Sequence, residues 1–182
     1  MDADPAALAI ARKRLEIFGE RARLVQANFS KMAQVARENN FVPVNGVLLD
    51  LGVSSMQLDN PERGFSFQGE GPLDMRFGEV QGELTAADII KKWPEEKLVE
   101  LFFKLGEEPE SRRFARAIME ARKQTPFTTT LQLAKVLEKA GGGRAAGRSK
   151  KPIHPATRVF QALRMAVNRE LENLEEGLKG AV

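Results

Sequence analysis

Cysteine is absent from the 182 residues, and histidine occurs once, at His154. The first absence excludes disulfides, thiolate metal sites and a cysteine nucleophile. The second argues against a histidine-based metal site and against a Ser-His-Asp triad. No apolar run approaches the roughly eighteen residues that a membrane-spanning helix needs. Residues 1–12 lack the basic stretch and apolar core of a signal peptide. A cytoplasmic protein is the expectation. Excess charge is also scarce, at +3 overall, but it is unevenly spread: Arg144 to Arg164 holds six Lys or Arg and no acidic residue. On charge alone, a stripe that meets phosphates and a solvated loop-and-helix face are equally good readings. What is present is an ordinary apolar fraction of 42%, enough for a core. The length suits one domain, or one domain with an insertion.

The first fifty residues alternate helix and strand. Asp4 suits an N-cap and Pro5 the first helical position, where its missing N–H costs nothing. Leu8, Ala11, Leu15 and Phe18 give a helical stripe and Gly19 a stop. Arg23 to Ala27 reads as a short strand, Ser30 to Asn40 as a helix with Met32, Val35 and Ala36 inward, and Gly46 to Asp50 as a buried strand. That order implies a parallel sheet with right-handed crossovers. Beyond Arg76 the texture is helical: Thr85 to Trp93, Pro94 to Leu105, Glu110 to Lys123 and Thr130 to Lys139. Thr85-Ala86-Ala87-Asp88 has the form of a capping box, with Asp in place of Glu. Leu98, Leu101, Phe102 and Leu105 line one helix face; Phe114, Ala117, Ile118 and Ala121 line another. A glycine-rich linker is expected from Gly141 to Arg148. One long helix is expected from Pro155 to Leu178, with Phe160, Leu163, Val167, Leu171, Leu174 and Leu178 as its stripe.

Between strand and bundle lies the most informative segment, Leu48-Leu49-Asp50-Leu51-Gly52-Val53-Ser54-Ser55-Met56-Gln57-Leu58-Asp59 and onward through Arg63-Gly64-Phe65-Ser66-Phe67 to Gly71-Pro72-Leu73-Asp74-Met75-Arg76. An apolar run ends at a carboxylate, Asp50, and a long loop follows. Loops of that length in compact domains are usually functional or disordered. Leu58, Phe65, Phe67, Leu73 and Met75 are anchors that favour order. Ligands of open α/β sheets bind beyond the carboxyl ends of strands, so the segment reads as an active-site wall. Asp2 would then stand at the tip of a preceding strand, where an acidic residue meets ribose hydroxyls. The glycine-rich turn that should come before it is not in the sequence, and no strands follow the last helix. The pattern favours a chain truncated at both ends over one in which Asp2-Ala3-Asp4 is only a helix cap.

The Leu49 to Arg76 block, with Gly106-Glu107-Glu108, Phe114-Ala115-Arg116-Ala117-Ile118 and His154-Pro155-Ala156-Thr157-Arg158-Val159-Phe160-Gln161-Ala162-Leu163-Arg164, closely resembles the bacterial RsmH family, formerly called MraW, in collinear order over essentially the whole chain. The resemblance implies an S-adenosylmethionine-dependent methyltransferase acting on the cytosine N4 of 16S rRNA, with free rRNA or the 30S ribosomal subunit as partner and no membrane. It implies an α/β fold: an incomplete class I (Rossmann-like) methyltransferase parallel sheet with an inserted all-helical domain. The methyltransferase part would be residues 1–77 and 153–182, and the insertion 78–152. Asp2, Phe29, Asp50 and Gln57 match the family's cofactor contacts. Met56 stands where bacterial members commonly carry proline. The family's Gly-Gly-His turn and Phe-His-Ser segment are not in this sequence.

N4 methylation needs no covalent adduct, whereas methylation at cytosine C5 would normally need a cysteine. The amine does need a hydrogen-bond acceptor, and the candidates are Asp50, Ser54, Ser55 and Asp74; of these, Asp50, Ser54 and Asp74 are the expected catalytic residues. Each has a plainer alternative: Asp50 as a cofactor contact, the serines as loop hydrogen bonders, Asp74 as a partner of Arg76 or Arg63. Phe65 and Phe67 either stack on an extruded base or anchor the loop, and the anchor reading is favoured. His154 reads as a helix-start hydrogen bonder. Arg158 and Arg164 either reach rRNA phosphates or hold their helix against the insertion. Two other functions compete. A non-catalytic RNA-binding or ribosome-assembly module would keep the helices and the basic stripe. A DNA amino-methyltransferase would usually carry a Pro-Pro-aromatic step, which Leu51-Gly52-Val53 does not supply.

Overall fold

Helix starts are where this sequence dictates structure most directly. The computed structural model describes residues 1–78, 84–142 and 153–182. Its α-helices in chain order are α1 (Pro5–Leu15), α2 (Met32–Glu38), α3 (Ser55–Leu58), α4 (Ala86–Lys92), α5 (Glu95–Lys104), α6 (Ser111–Gln124), α7 (Thr130–Gly141), α8 (Ala156–Val167) and α9 (Glu170–Ala181). Asp4 caps α1, its carboxylate accepting from the Ala6 N–H at 2.9 Å, and Pro5 opens the helix. The Thr85 box forms around α4 as expected. Asp88 N–H donates to the Thr85 hydroxyl at 3.1 Å, and Thr85 N–H donates back to the Asp88 carboxylate at 3.2 Å. Hydrogen bonds from Lys92, and then from Thr85, pull the Asp88 carboxyl down to about 2. A second box, Thr129 with Gln132, starts α7. Each such cap is worth about 1 kcal/mol because it satisfies donors that the helix leaves unpaired.

The chain divides into two compact units. The first comprises Met1–Leu51, Phe77–Val80 and Arg169–Val182. In it α1 runs into a 3-10 turn, Glu16–Arg21, which contains Gly19. A second 3-10 turn, Phe29–Lys31, capped by Asn28, leads into α2. Helix α9 packs on that turn and on α2, with Gly177 against the Phe29 ring.

The second unit comprises Gly52–Arg76 and Gln81–Asn168. It holds the helical bundle, with Ile89, Leu98, Phe102, Phe114, Ile118, Leu133, Leu137, Val159 and Leu163 each no more than 1% exposed. The faces expected for α5 and α6 are the buried ones at Leu98, Leu101, Phe102, Phe114 and Ile118. Arg122 of α6 donates to the carbonyls of Ile90 and Trp93 at 2.8 and 2.7 Å and so finishes α4. Most of the expected Gly141 to Arg148 linker lies outside the described residues. Among the described residues no helix is long and apolar enough to cross a membrane.

Two expectations are corrected. The parallel sheet is not formed, and no strand occurs among the described residues. Arg23 to Ala27 makes one isolated parallel bridge, Asp2 with Gln26. In it Asp2 N–H donates to Val25 O at 3.2 Å, and Ala27 N–H donates to Asp2 O at 3.1 Å. Gly46 to Asp50 is irregular, with Leu48 93% exposed. A buried parallel strand needs a ladder and a covering layer on its faces, and an apolar run without them gains nothing from regularity. The second correction concerns the expected helix from Pro155 to Leu178, which is broken into α8 and α9. Arg169 takes a left-handed conformation, φ 49° and ψ 43°, which an α-helix cannot continue through. Just before it, the Asn168 amide donates to Met75 O at 2.7 Å and to Arg164 O at 2.9 Å. Asparagine readily makes such side-chain bonds to backbone, which is why it is a poor interior helix residue.

Candidate active site

The loop after Gly52 is built from short capped turns. Ser54 caps α3, its hydroxyl accepting from Gln57 N–H at 3.3 Å while the Gln57 side-chain oxygen accepts from Ser54 N–H at 3.0 Å. Gln57 is buried. Asn60 caps the turn Pro61–Arg63, and Gly64 closes it in the left-handed region. The return limb is fixed to the start of α7. Gly71 N–H donates to the Thr130 hydroxyl at 3.1 Å, that hydroxyl donates to Gly69 O at 2.9 Å, and Thr130 N–H donates to Gly71 O at 2.8 Å. Leu73 and Asp74 carbonyls accept from Ala87 and Ala86 at the start of α4. Phe65, Leu73 and Met75 are buried. Phe67 stacks on His154 with ring centroids 4.5 Å apart and meets Phe160 edge-on at 5.0 Å. Both phenylalanines therefore anchor the loop. His154 accepts from Ala156 N–H at 3.1 Å, at the start of α8, and its other ring nitrogen lies 2.7 Å from Glu138.

Asp74 is held by Arg76. The guanidinium donates to both carboxylate oxygens, at 2.9 and 2.6 Å, and Arg76 N–H adds a third bond at 3.0 Å. Arg63 stands behind, donating to Arg76 O at 3.1 Å. Burial alone would raise the Asp74 carboxyl, but the Arg76 hydrogen bonds and charge, with Arg63, outweigh it and hold it below its ordinary value. Stability from this pair is present above the ordinary carboxylate value and is lost as pH falls through the lowered one. Asp74→Asn is expected to cost roughly 1–2 kcal/mol at pH 7, in urea unfolding. The difference from wild type should shrink in acid; one that stays constant with pH contradicts the assignment.

Asp2, Phe29 and Asp50 lie in the first unit. Asp2 accepts from Asp4 N–H at 2.8 Å and holds the bridge to Gln26, three residues before Phe29. Both Asp2 and Asp50 are exposed carboxylates, and Phe29 is half-buried. The structure thus bridges Asp2 to Gln26, three residues before the turn that starts at Phe29, and joins Ser54 to Gln57. Arg158 donates to Glu107 O at 3.0 Å, so it holds α8 to the segment after α5. Arg144, Arg148, Lys150 and Lys151 of the basic stripe lie outside the described residues.

Three site-shaping features escaped the sequence reading. Ser54-Ser55-Met56-Gln57 is itself a capping-box pattern, Ser followed three residues later by Gln, and was legible. Thr130 and Asn168 act on residues far away in the chain, and no local signal announces them.

The whole chain, residues 1–182, matches the model of the MraW methylase family. It is 55% identical over 181 residues to the ribosomal RNA small subunit methyltransferase H of Dehalococcoides mccartyi, an alignment covering 100% of this chain and 49% of that protein. The protein of the same name from Thermomicrobium roseum is 50% identical over 182 residues, with 100% of this chain and 54% of the relative covered. That from Carboxydothermus hydrogenoformans is 48% identical over 182 residues, with 100% and 57% covered. The chain belongs to the MraW methylase family. It spans about half the length of the curated relatives it matches.

Proposed function

We propose that these residues are part of a cytoplasmic S-adenosylmethionine-dependent methyltransferase that modifies the exocyclic N4 of a cytidine in small-subunit (16S) rRNA, as free rRNA or in the 30S subunit. The observation that carries this is an exposed carboxylate, Asp50, at the end of an apolar run, followed by a loop pinned at Ser54, Thr130 and Asp74. The family and the names of the relatives agree with it. In the whole protein, residues 1–77 and 153–182 belong to a class I sheet domain and 78–152 to an inserted helical domain. The parallel Asp2–Gln26 bridge and the exposed apolar run Val47–Leu48 suit that reading.

The side chains fit the cofactor chemically. Asp2 and Asp50 offer carboxylate acceptors for hydroxyls and ammonium, Phe29 an apolar face, and Gln57 an amide. S-adenosylmethionine supplies, when bound, an electrophilic methyl group on a positively charged sulfur. Methylation of N4 by that group would leave one N4 proton to be taken up by an acceptor on this chain. Asp50 is that acceptor in this proposal. Ser54 and Asp74, committed to the Gln57 and Arg76 bonds, act by keeping the loop in shape. Positioning of amine and methyl contributes roughly 7–11 kcal/mol in well-oriented systems.

The test is transfer of labelled methyl from S-adenosylmethionine by the protein carrying these 182 residues. Label in N4-methylcytidine of 16S rRNA or 30S subunits, and none in duplex DNA, is expected. RNA binding without S-adenosylmethionine binding in titration calorimetry would favour the non-catalytic module and overturn the proposal.

A further inference from the structure

Two helices carry a marked excess of positive charge, α1 with three cations and no carboxylate and α6. α6 carries five cations, Arg112, Arg113, Arg116, Arg122 and Lys123, against the single carboxylate of Glu120, a net +4 in 14 residues. The whole chain is +3. The inner face of α6 is apolar and buried at Phe114, Ala115 and Ile118. Two of the cations serve the protein itself: Arg122 ends α4, and Arg113 pairs with Glu110 at 3.0 Å. Three are left facing solvent. Arg112 and Lys123 make no ion pair among the described residues, and Arg116 reaches Glu95 only at 3.9 Å while 72% exposed. Glu120, one turn from Arg116, makes no ion pair among the described residues either. Some other helices pair cations closely, as Lys92 with Asp88 at 2.7 Å, Lys104 with Glu100 at 2.6 Å and Lys179 with Glu175 at 2.6 Å. Arg12, Lys13 and Arg14 of α1 make no ion pair among the described residues, but they occupy successive positions about 100° apart around their helix and form no row.

At 3.6 residues per turn, Arg112, Arg116 and Lys123 fall within an arc of about 40° and span about 16 Å along the axis. A row of unneutralised cations is suited to a polyanion with regularly spaced charges, and the planar arginine fork to phosphate oxygens in particular. We propose that the Arg112–Arg116–Lys123 face of α6 is a docking surface for the phosphate backbone of RNA. This rests on the rRNA substrate proposed above and assigns part of its binding to α6.

The experiment measures binding of the 182-residue chain to a 16S rRNA transcript across a salt series. Arg112→Gln/Arg116→Gln/Lys123→Gln keeps good helix formers and removes three charges. Arg12→Gln/Lys13→Gln/Arg14→Gln on α1 removes the same net charge elsewhere. Circular dichroism checks that each variant is folded. Three lost phosphate contacts should flatten the log–log salt slope by about 2. If the binding lines meet at 1 M salt, that slope change means roughly 100-fold weaker binding at 0.1 M. The α1 variant should keep the wild-type slope. A wild-type slope in the α6 variant overturns the surface and leaves the rRNA reading standing, as does equal flattening in both variants. Absence of salt-dependent binding by the wild-type chain overturns both. Polyglutamate that competes with RNA at equal charge concentration would make α6 a face for acidic protein and overturn the RNA assignment.

Discussion

Gly71→Ala is expected to lower the thermal midpoint by roughly 6–12 °C. A Cβ at position 71 would lie 1.7 Å from Pro61 O and 2.6 Å from Pro61 C. Those are backbone atoms, so no side chain can rotate out of the way. The glycine is also fixed from both of its own polar groups, by the Thr130 hydroxyl and the Thr130 N–H. Relief of the clash must therefore break hydrogen bonds, move the Pro61–Arg63 turn, or both. Overpacking of this kind typically costs 1–3 kcal/mol and more where backbone must shift, so about 3 kcal/mol is the expectation. Gly64 meets the same limb from the other side: its φ is +72°, and a Cβ there would lie 2.0 Å from Pro72 O. Gly46→Ala is the control, since nothing lies within 4 Å of the added carbon, and it should change stability by less than about 0.5 kcal/mol. If Gly71→Ala melts within a degree or two of Gly46→Ala, the tight crossing of the two loop limbs is wrong.

What could be read beforehand follows from the range of each interaction. The Asp4 cap, the Thr85 box and the α5 and α6 faces depend on residues within one or two turns, and those readings agree with the structure. The order of the loop was legible because Phe65, Leu73 and Met75 are large apolar residues in a polar stretch, and such residues tend to be buried. Leu58, grouped with them, is 42% exposed, since apolarity gives a tendency and the packing decides. A strand is different: Arg23 to Ala27 and Gly46 to Asp50 have the composition, but a ladder is a property of pairs. Asn168 shows the same limit in a helix. Its bond to Met75 O crosses 93 positions of sequence, and the apolar stripe on both sides carries no trace of it. At the candidate site, Asp74 had two readings in sequence, and the bidentate Arg76 pair favours the structural one. The acidic acceptor is thereby narrowed toward Asp50 under the proposed function.

Under the proposed function, Asp50→Asn in the protein carrying these residues should reduce methyl transfer by about 10²–10³-fold while leaving the fold intact. Asp50 is exposed and lies in an irregular segment, so an isosteric amide removes little packing and little backbone support. Substitution at such a surface position usually changes stability by less than about 0.5 kcal/mol. The chemistry is different. Cytosine N4 is a poor nucleophile because its lone pair is spread into the ring, and a carboxylate accepting from its N–H both localises that pair and takes the departing proton. Positioned acceptors of this kind contribute typically 10²–10⁴-fold. An amide oxygen still accepts a hydrogen bond, but it is a far weaker base, so transfer should fall more than binding of either substrate. Asp50→Glu, which restores the charge one methylene further out, should recover part of the loss. The measurement is kcat and KM for labelled methyl transfer to 30S subunits by the protein carrying these residues, with circular dichroism as the check on folding. A fall in kcat at nearly unchanged KM supports Asp50 as the acceptor. A rise in the S-adenosylmethionine KM at unchanged kcat would assign Asp50 to cofactor binding alone and return the acceptor role to Ser54, Ser55 or Asp74.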